Sequence, residues 1–321
     1  MNIPKRRLGK SDMLITAVGV GTAPIGSTSD WRIYWGPQDE QDAIRAIHTA
    51  LDLGVNWIDT APFSGWGRAE RLVGKALTHK RDKVYVFTKC GTLRTADGGW
   101  VENLQPGSIR QEVEQSLRNL QTDYIDLYQF HDPDPATPIE ESLAVVQQLI
   151  QEGKVRYVGL SNHTPDLIRR AAAFAPVVSN QCQFSLLERS AESEVLPCCA
   201  GLGMGILAWS PLASGFLVDG FDLDRLHPDD FRRRHPFAQP PSWTKVQELR
   251  SVLRKIAQDH NKTMVDVALA WVLAHTQVTG AIVGVRNEKE ATQMLGAVTW
   301  QLPEKDLQRI EAVVTRHEHS G

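Results

Sequence analysis

Apolar positions recur along this chain in two registers. Short β-branched and aromatic runs appear from end to end: AVGVG at 17–21, VNWID at 55–59, VYVFTK at 84–89, IDLYQFH at 125–131, VRYVGLSN at 155–162, PVVSNQ at 176–181, GILAWS at 205–210 and AIVG at 281–284. Each is nearly continuous in apolar character, as strands covered on both faces are. Between most of them the apolar residues fall at helical spacing: Ala43, Ile44, Ile47 and Leu51; Ile109, Val113, Leu117 and Leu120; Leu143, Val146 and Ile150. Pro37, Pro106, Pro138 and Pro165 stand at or near the starts of such segments, where a missing N–H costs little. Strand and helix alternating eight times predict an α/β fold of the (β/α)8 TIM-barrel type rather than an open doubly wound sheet.

Two segments depart from the alternation. Ahead of the first run, KRRLGKSDMLIT reads as a small N-terminal β-hairpin with Gly9 to Asp12 as its turn, capping the barrel bottom. Between the seventh and eighth runs lies a much longer stretch. It opens with the Pro- and Arg-rich FRRRHPFAQPPSW at 231–243 and continues into helical patterns around Val252 and Trp271. A long loop plus an extra helix is therefore expected there, the loop lying over the barrel mouth as a cover for a ligand.

Composition narrows the class. A length of 321 residues suits one α/β barrel, so residues 1–321 are read as a single domain. Charge is nearly balanced, with 35 Lys and Arg against 38 Asp and Glu and no basic stripe, which argues against nucleic acid as a partner. No apolar run approaches the ~20 residues that span a bilayer, and MNIPKRRLGKSDM lacks the apolar stretch of a signal peptide. A soluble cytoplasmic protein is the expectation. Cys90, Cys182, Cys198 and Cys199 form no CxxC pair and have no histidines at ligand spacing, so neither a disulfide framework nor a metal site is expected.

In barrels of this type, chemistry sits at the carboxyl ends of the strands. The polar residues there are Asp59, Lys89, His131, Ser161 with Asn162, Gln181, and Trp209 with Ser210. Singly, each has a structural explanation: a turn cap, a solvated amine, a satisfied core histidine. Together they fit one chemistry. A Lys and an Asp on neighbouring strand ends form a desolvated ion pair that holds positive charge near an acid. A His aims a donor at a carbonyl oxygen. Ser, Asn and Gln can hydrogen-bond a carboxamide, and Trp209 offers a flat face to an aromatic ring. Carboxamide plus ring describes nicotinamide.

The segments GVNWIDTA (54–61), GRAERLVGKAL (67–77), VFTK (86–89), TDYIDLYQFHDPDP (122–135), GKVRYVGLSN (153–162) and LAWSPLASGFL (207–217) make the chain resemble the aldo-keto reductase family over nearly its whole length. The resemblance implies a (β/α)8 barrel, a coenzyme extended across its mouth, and NAD(P)H-dependent reduction of a small-molecule aldehyde or ketone. No G-x-G-x-x-G follows a strand, and the family needs none. By resemblance the catalytic set falls on Asp59, Lys89, His131 and Ser64. At Ser64 the family's D-T-A-x-x-Y-G-x-G calls for a Tyr, and the chain reads D-T-A-P-F-S-G-W-G. Phe63 is one place early and has no hydroxyl, and Tyr85 lies within a strand.

The resemblance also assigns the coenzyme: Ser161, Asn162 and Gln181 to the carboxamide, and Trp209 to the ring. Ser210, Leu212, Ser214, Gly215 and Leu217 go to the pyrophosphate, and Gly284, Arg286 and Glu290 to the adenosine end. NADP(H) is expected first, because Arg286 can neutralise a 2′-phosphate. NAD(H) is the alternative, because Glu290 stands where a carboxylate favours a free ribose hydroxyl. Without a ligand role, Arg286 and Glu290 reduce to an i,i+4 helical pair. Trp31, Tyr34, Trp35, Phe63, Trp66 and Trp100 suggest an aromatic-walled pocket. Ser64 predicts attenuated turnover, since general acid catalysis is worth about 10²- to 10⁴-fold. Three explanations stay open: a substitution introduced to silence the catalyst, a natural enzyme with altered acid chemistry, or a nucleotide-binding sensor or partner subunit. A non-redox proton-transfer enzyme on the same scaffold is the reading from another class.

Overall fold

The computed structural model describes residues 3–318. A hairpin of β1 (Lys5–Arg7) and β2 (Leu14–Thr16) leads into β3 (Val18–Gly21), and seven more parallel strands follow it around a closed barrel. They are β4 (Trp57–Asp59), β5 (Tyr85–Cys90), β8 (Ile125–Phe130), β9 (Val155–Ser161), β10 (Ser179–Gln183), β11 (Gly205–Trp209) and β12 (Val278–Gly284). All eight apolar runs in the sequence are barrel strands, and β12 closes on β3 with Ala281 opposite Val18 and Gly284 opposite Gly21. Between β5 and β8 sits an antiparallel pair that is not among the predicted elements, β6 (Thr92–Arg94) and β7 (Trp100–Glu102). Its short strands carry no apolar alternation, and a polar turn at Asp97 to Gly99 closes it.

The helices obey the expected periodicity. Helices α1 (Glu40–Asp52), α3 (Pro106–Leu120) and α4 (Ile139–Gln151) bury Ala43 and Ile47, Ile109 and Val113, and Leu143 and Val146 against the barrel. Helix α3 and α5 (Pro165–Phe174) begin on proline, and Asp39 caps α1 by accepting from the Asp42 N–H. Helix α2 (Arg68–Ala76) carries Glu70, which is fully buried. Its carboxylate accepts from Thr88 Oγ1 of β5 at 2.7 Å and from Asn119 Nδ2 of α3 at 2.9 Å, tying two helices to one strand. Helix α6 (Val195–Leu202) precedes β11. Two helices, α7 (Ser242–Asp259) and α8 (Met264–Ala274), occupy the long interval before β12, and α9 (Glu288–Gln293) and α10 (Glu304–Glu318) follow it. Among the described residues no helix is long and apolar enough to cross a membrane.

Inside the barrel, β5 shows the two-residue period: Phe87 joins the interior cluster, while Val86 and Cys90 pack outward under the helices. Trp57, Phe87, Leu127, Val178, Leu207 and Ile282 fill the interior, and Leu8, Met13 and Ile15 from the hairpin seal it. The hairpin sits at the N-terminal strand ends, since a Cβ on Gly9 would meet Val178 O and Gly205 N. Trp57 is wholly buried and donates its indole N–H to Thr16 O at 2.8 Å. Its ring occupies space where Gly19 can have no side chain, because a Cβ there would lie 2.1 Å from Cε2. With its lower part filled, the barrel interior has room for a ligand at the opposite strand ends.

Replacing Trp57 with Ala is expected to lower unfolding stability by about 3–5 kcal/mol. Urea denaturation followed by circular dichroism measures this; a midpoint within error of the parent would show that the interior cluster does not carry the barrel.

Candidate active site

The strand ends opposite the hairpin open into a cavity of about 950 Å³. At its floor Lys89 Nζ lies 2.5 Å from Asp59 Oδ1 and also donates to Thr60 O at 3.0 Å. Both side chains are almost wholly buried, so each charge depends on the other. Asp59 Oδ2 accepts from Gln129 Nε2 at 3.1 Å and from Gln181 Nε2 at 2.8 Å. Gln129 is a site residue that the sequence reading missed. It lies two positions before His131 on β8, so strand periodicity alone would place it on the interior face with Leu127.

His131 and Ser64 line the same cavity. Burial, together with the Lys89 charge, pushes the His131 pKa down to about 3. The imidazole is therefore neutral near pH 7, a hydrogen-bond donor or acceptor but not a charged acid. Ser64 is buried at the end of a tight loop that begins at Asp59. Gly65 makes that loop possible: its φ is +62°, and a Cβ there would come within 1.8 Å of Gly26 O. Arg68 braces the facing loop by donating to Ile25 O, Ser27 O and Gln38 O, each at 2.8 Å.

The residues expected around a carboxamide and an aromatic ring are brought together. Ser161 borders the cavity with a buried hydroxyl that has no hydrogen-bond partner. Gln181 commits both amide hydrogens, to Asp59 and to Gln129 Oε1 at 3.1 Å, which leaves its carbonyl oxygen for a ligand. Asn162 is more engaged: its Nδ2 donates to His131 O and Asp132 Oδ1, and its Oδ1 accepts from Trp209 Nε1 at 2.9 Å. That last bond fixes the indole of Trp209 at the cavity wall. An unpartnered buried hydroxyl, a free amide carbonyl and a held aromatic face suit a nicotinamide ring.

After β11, Ser210, Ala213 and Ser214 all have positive φ, and Ser210 Oγ accepts the Ser214 N–H at 2.8 Å. Ser210, Leu212, Ser214 and Gly215 line the cavity. Leu217 does not: its side chain is fully buried and its N–H donates to Leu212 O. At the far end Gly284, Arg286 and Glu290 line the cavity with Lys289, which the sequence reading passed over. Arg286 and Glu290 are not a side-chain pair. Glu290 accepts the Arg286 backbone N–H at 2.9 Å, while the guanidinium crosses to Gln38 Oε1, Trp35 O and Pro37 O at 2.8, 2.8 and 2.5 Å. The long loop covers this region as expected, with Phe231, Arg232 and His235 lining the cavity and Phe231 N–H bonded to Tyr34 O.

Of the six mouth aromatics, Trp31, Trp35, Phe63 and Trp100 line the cavity. Trp66 backs Phe63 at 5.5 Å between ring centroids, and Tyr34 packs on His227. Three acidic residues, Glu102, Asp132 and Asp219, also line it and were not anticipated.

Comparison with known proteins agrees with this geometry. Residues 17–315 match the Aldo/keto reductase family. The chain is 35% identical to probable aldo-keto reductase 1 of Glycine max over 309 residues, covering 96% of this chain and 88% of that protein. It is 32% identical to the NADH-specific methylglyoxal reductase of Escherichia coli (strain K12) over 312 residues, covering 93% and 94%. Among solved structures, a glycerol dehydrogenase from Gluconobacter oxydans superposes with a TM-score of 0.87 at 33% identity, over 99% of this chain and 97% of that one.

With its pKa held near 3, His131 is expected to show no imidazole titration between about pH 5 and 8 in a histidine NMR titration. A midpoint near the ordinary ~6.5, assigned through loss of one resonance in His131→Gln, would place the ring in water rather than against Lys89.

Proposed function

The chain belongs to the aldo/keto reductase family, and on that premise we propose that it reduces small aldehydes and ketones slowly, because Ser64 stands where a phenol should protonate the carbonyl oxygen. The observation that carries the reading is the buried Lys89–Asp59 pair opening onto one cavity with His131 and Ser64. Bound NAD(P)H supplies hydride to the carbonyl carbon. The protein's part is to position that carbon and to deliver a proton to the oxygen. A phenol beside an ammonium, starting near pKa ~10, is a workable acid. A serine hydroxyl is a far weaker acid and much shorter. His131, neutral with its pKa near 3, can donate a hydrogen bond to the carbonyl but holds no extra proton to give. The proton then comes from water held between Ser64 and Lys89, which the ammonium polarises.

The coenzyme assignment rests on the corner around Arg286. Its guanidinium is committed to the 35–38 loop, and Glu290 borders the cavity beside it. Lys289 is the cation left to meet a 2′-phosphate. This supports NAD(H) at least as strongly as NADP(H), removing the priority that Arg286 gives NADP(H) in the sequence. A carboxylate facing a phosphate is repulsive, whereas it can accept from a ribose hydroxyl.

Ser64→Tyr is expected to raise steady-state turnover at least about tenfold on any carbonyl the parent already reduces; an unchanged rate would refute the role given to this position. Titration of each nucleotide by tryptophan fluorescence should show NADH binding no weaker than NADPH, with Glu290→Gln improving NADPH selectively. A clear NADPH preference in the parent would restore Arg286 as a phosphate ligand, and affinity without turnover in both proteins would favour a nucleotide-binding module.

A further inference from the structure

In the eight-strand ring, β8 lies four places from β12 and therefore across the mouth from Arg286 and Lys289. The lining there has the opposite character. Asp132 directly follows His131 at the end of β8, and Glu102 ends β7. Trp100 and Glu102, two residues apart, share one face of the β6–β7 hairpin and both line the cavity, while Val101 between them is exposed.

The charges acting on Asp132 are Glu102, which repels it, and Lys89, which is already paired with Asp59. Burial and the Glu102 charge push the Asp132 pKa up to about 6, the condition of a carboxyl that lacks a cation of its own. Thr92 is the cross-strand partner of Glu102 and is 7% exposed. It lines the cavity beside Glu102, and its buried hydroxyl has no hydrogen-bond partner. The remaining wall is aromatic. Phe63 stands edge-to-face with Trp31, Trp100 and His131 at 5.4, 5.2 and 5.5 Å between centroids, and Trp100 is left 41% exposed. Two carboxylates, an acceptor hydroxyl and π-faces within one corner attract a cation and disfavour an anion.

We propose that this corner is a subsite for an ammonium group carried by the carbonyl substrate, with Glu102 and Asp132 opposing its charge and Trp100 and Phe63 walling it. The proposal deepens the reductase reading and rests on it for the position of the carbonyl at His131 and Ser64. Glu102 is then a specificity residue, since it touches the far end of the substrate and not the reacting atoms. Aldehydes bearing a carboxylate or sulfonate at the same place are rejected by the same charges.

Three alcohols of closely similar shape test the charge alone: choline, its neutral isostere 3,3-dimethylbutan-1-ol, and the anion isethionate. Each is titrated into the parent protein with oxidised coenzyme present, by calorimetry and tryptophan fluorescence. Choline is expected to bind about tenfold or more tightly than the neutral alcohol, with isethionate weakest, and Glu102→Gln is expected to shrink the choline-to-neutral ratio at least about threefold. Equal affinity for choline and its isostere, a ratio that Glu102→Gln does not move, or no detectable choline binding would overturn the proposal. The three corresponding aldehydes are assayed separately for NAD(P)H oxidation. If none is reduced, even by Ser64→Tyr, while choline keeps its preference, the reductase reading falls and the cation subsite stands.

Discussion

A carboxylate and an ammonium, both taken out of water, sit 2.5 Å apart at the floor of this barrel. Neither tolerates the loss of the other, because an unpaired buried charge costs several kcal/mol. Further partners come from around the ring: Thr60 O beside Asp59, Gln129 on β8 and Gln181 on β10. The pair is thus the node of a network that joins β4, β5, β8 and β10 through the barrel interior. Its charge also reaches outward. Lys89 adds to burial in keeping His131 neutral, and it is the cation beside which an acid would be expected to work.

That network explains what Ser64 does and does not disturb. The loop that carries it is fixed by Gly65 against Gly26 and by Arg68 against the 25–38 loop, and neither contact involves a side chain at position 64. Ion pair, imidazole and cavity are assembled without a phenol. On the proposed reading, what Ser64 lacks is a proton of suitable acidity at the right distance, a chemical deficit rather than a structural one. The groups suited to a dinucleotide lie on other strands: Ser161 on β9, Gln181 on β10 and Trp209 on β11.

The cavity is also divided by charge. The cations Arg286 and Lys289 stand on the β12 side together with Glu290, and Arg232 joins them from the long loop, while Glu102 and Asp132 stand on the β8 side. On the proposed reading the pyrophosphate and adenosine of a dinucleotide lie toward the β11 and β12 side, where Lys289 is the cation not engaged with the 35–38 loop. On the same reading the acidic side faces whatever projects beyond the carbonyl. Barrel closure sets this division, because strands far apart in the chain become opposite walls of one mouth.

Local sequence determined the architecture. Eight apolar runs, helices beginning at prolines, the Gly9–Asp12 hairpin and the long interval before the last strand are all short-range patterns, and each is written in adjacent residues. The strand-end residues were legible too, since a strand fixes which way alternate side chains point; by that rule Gln129 could have been named beside His131. Tertiary structure alone decided the rest. The β6–β7 hairpin has no periodic signal, so Trp100, Glu102 and Thr92 become one wall only once it folds over β5. Leu217 reads like its neighbours in LASGFL, but packing buries it. Arg286 and Glu290, four apart, look like a helical pair until the guanidinium finds three oxygens some 250 residues earlier in the chain. Adjacent residues set the elements because dihedral preference and burial period are local. Partner choice between charged side chains was not legible, because it depends on distances that exist only after the barrel has closed.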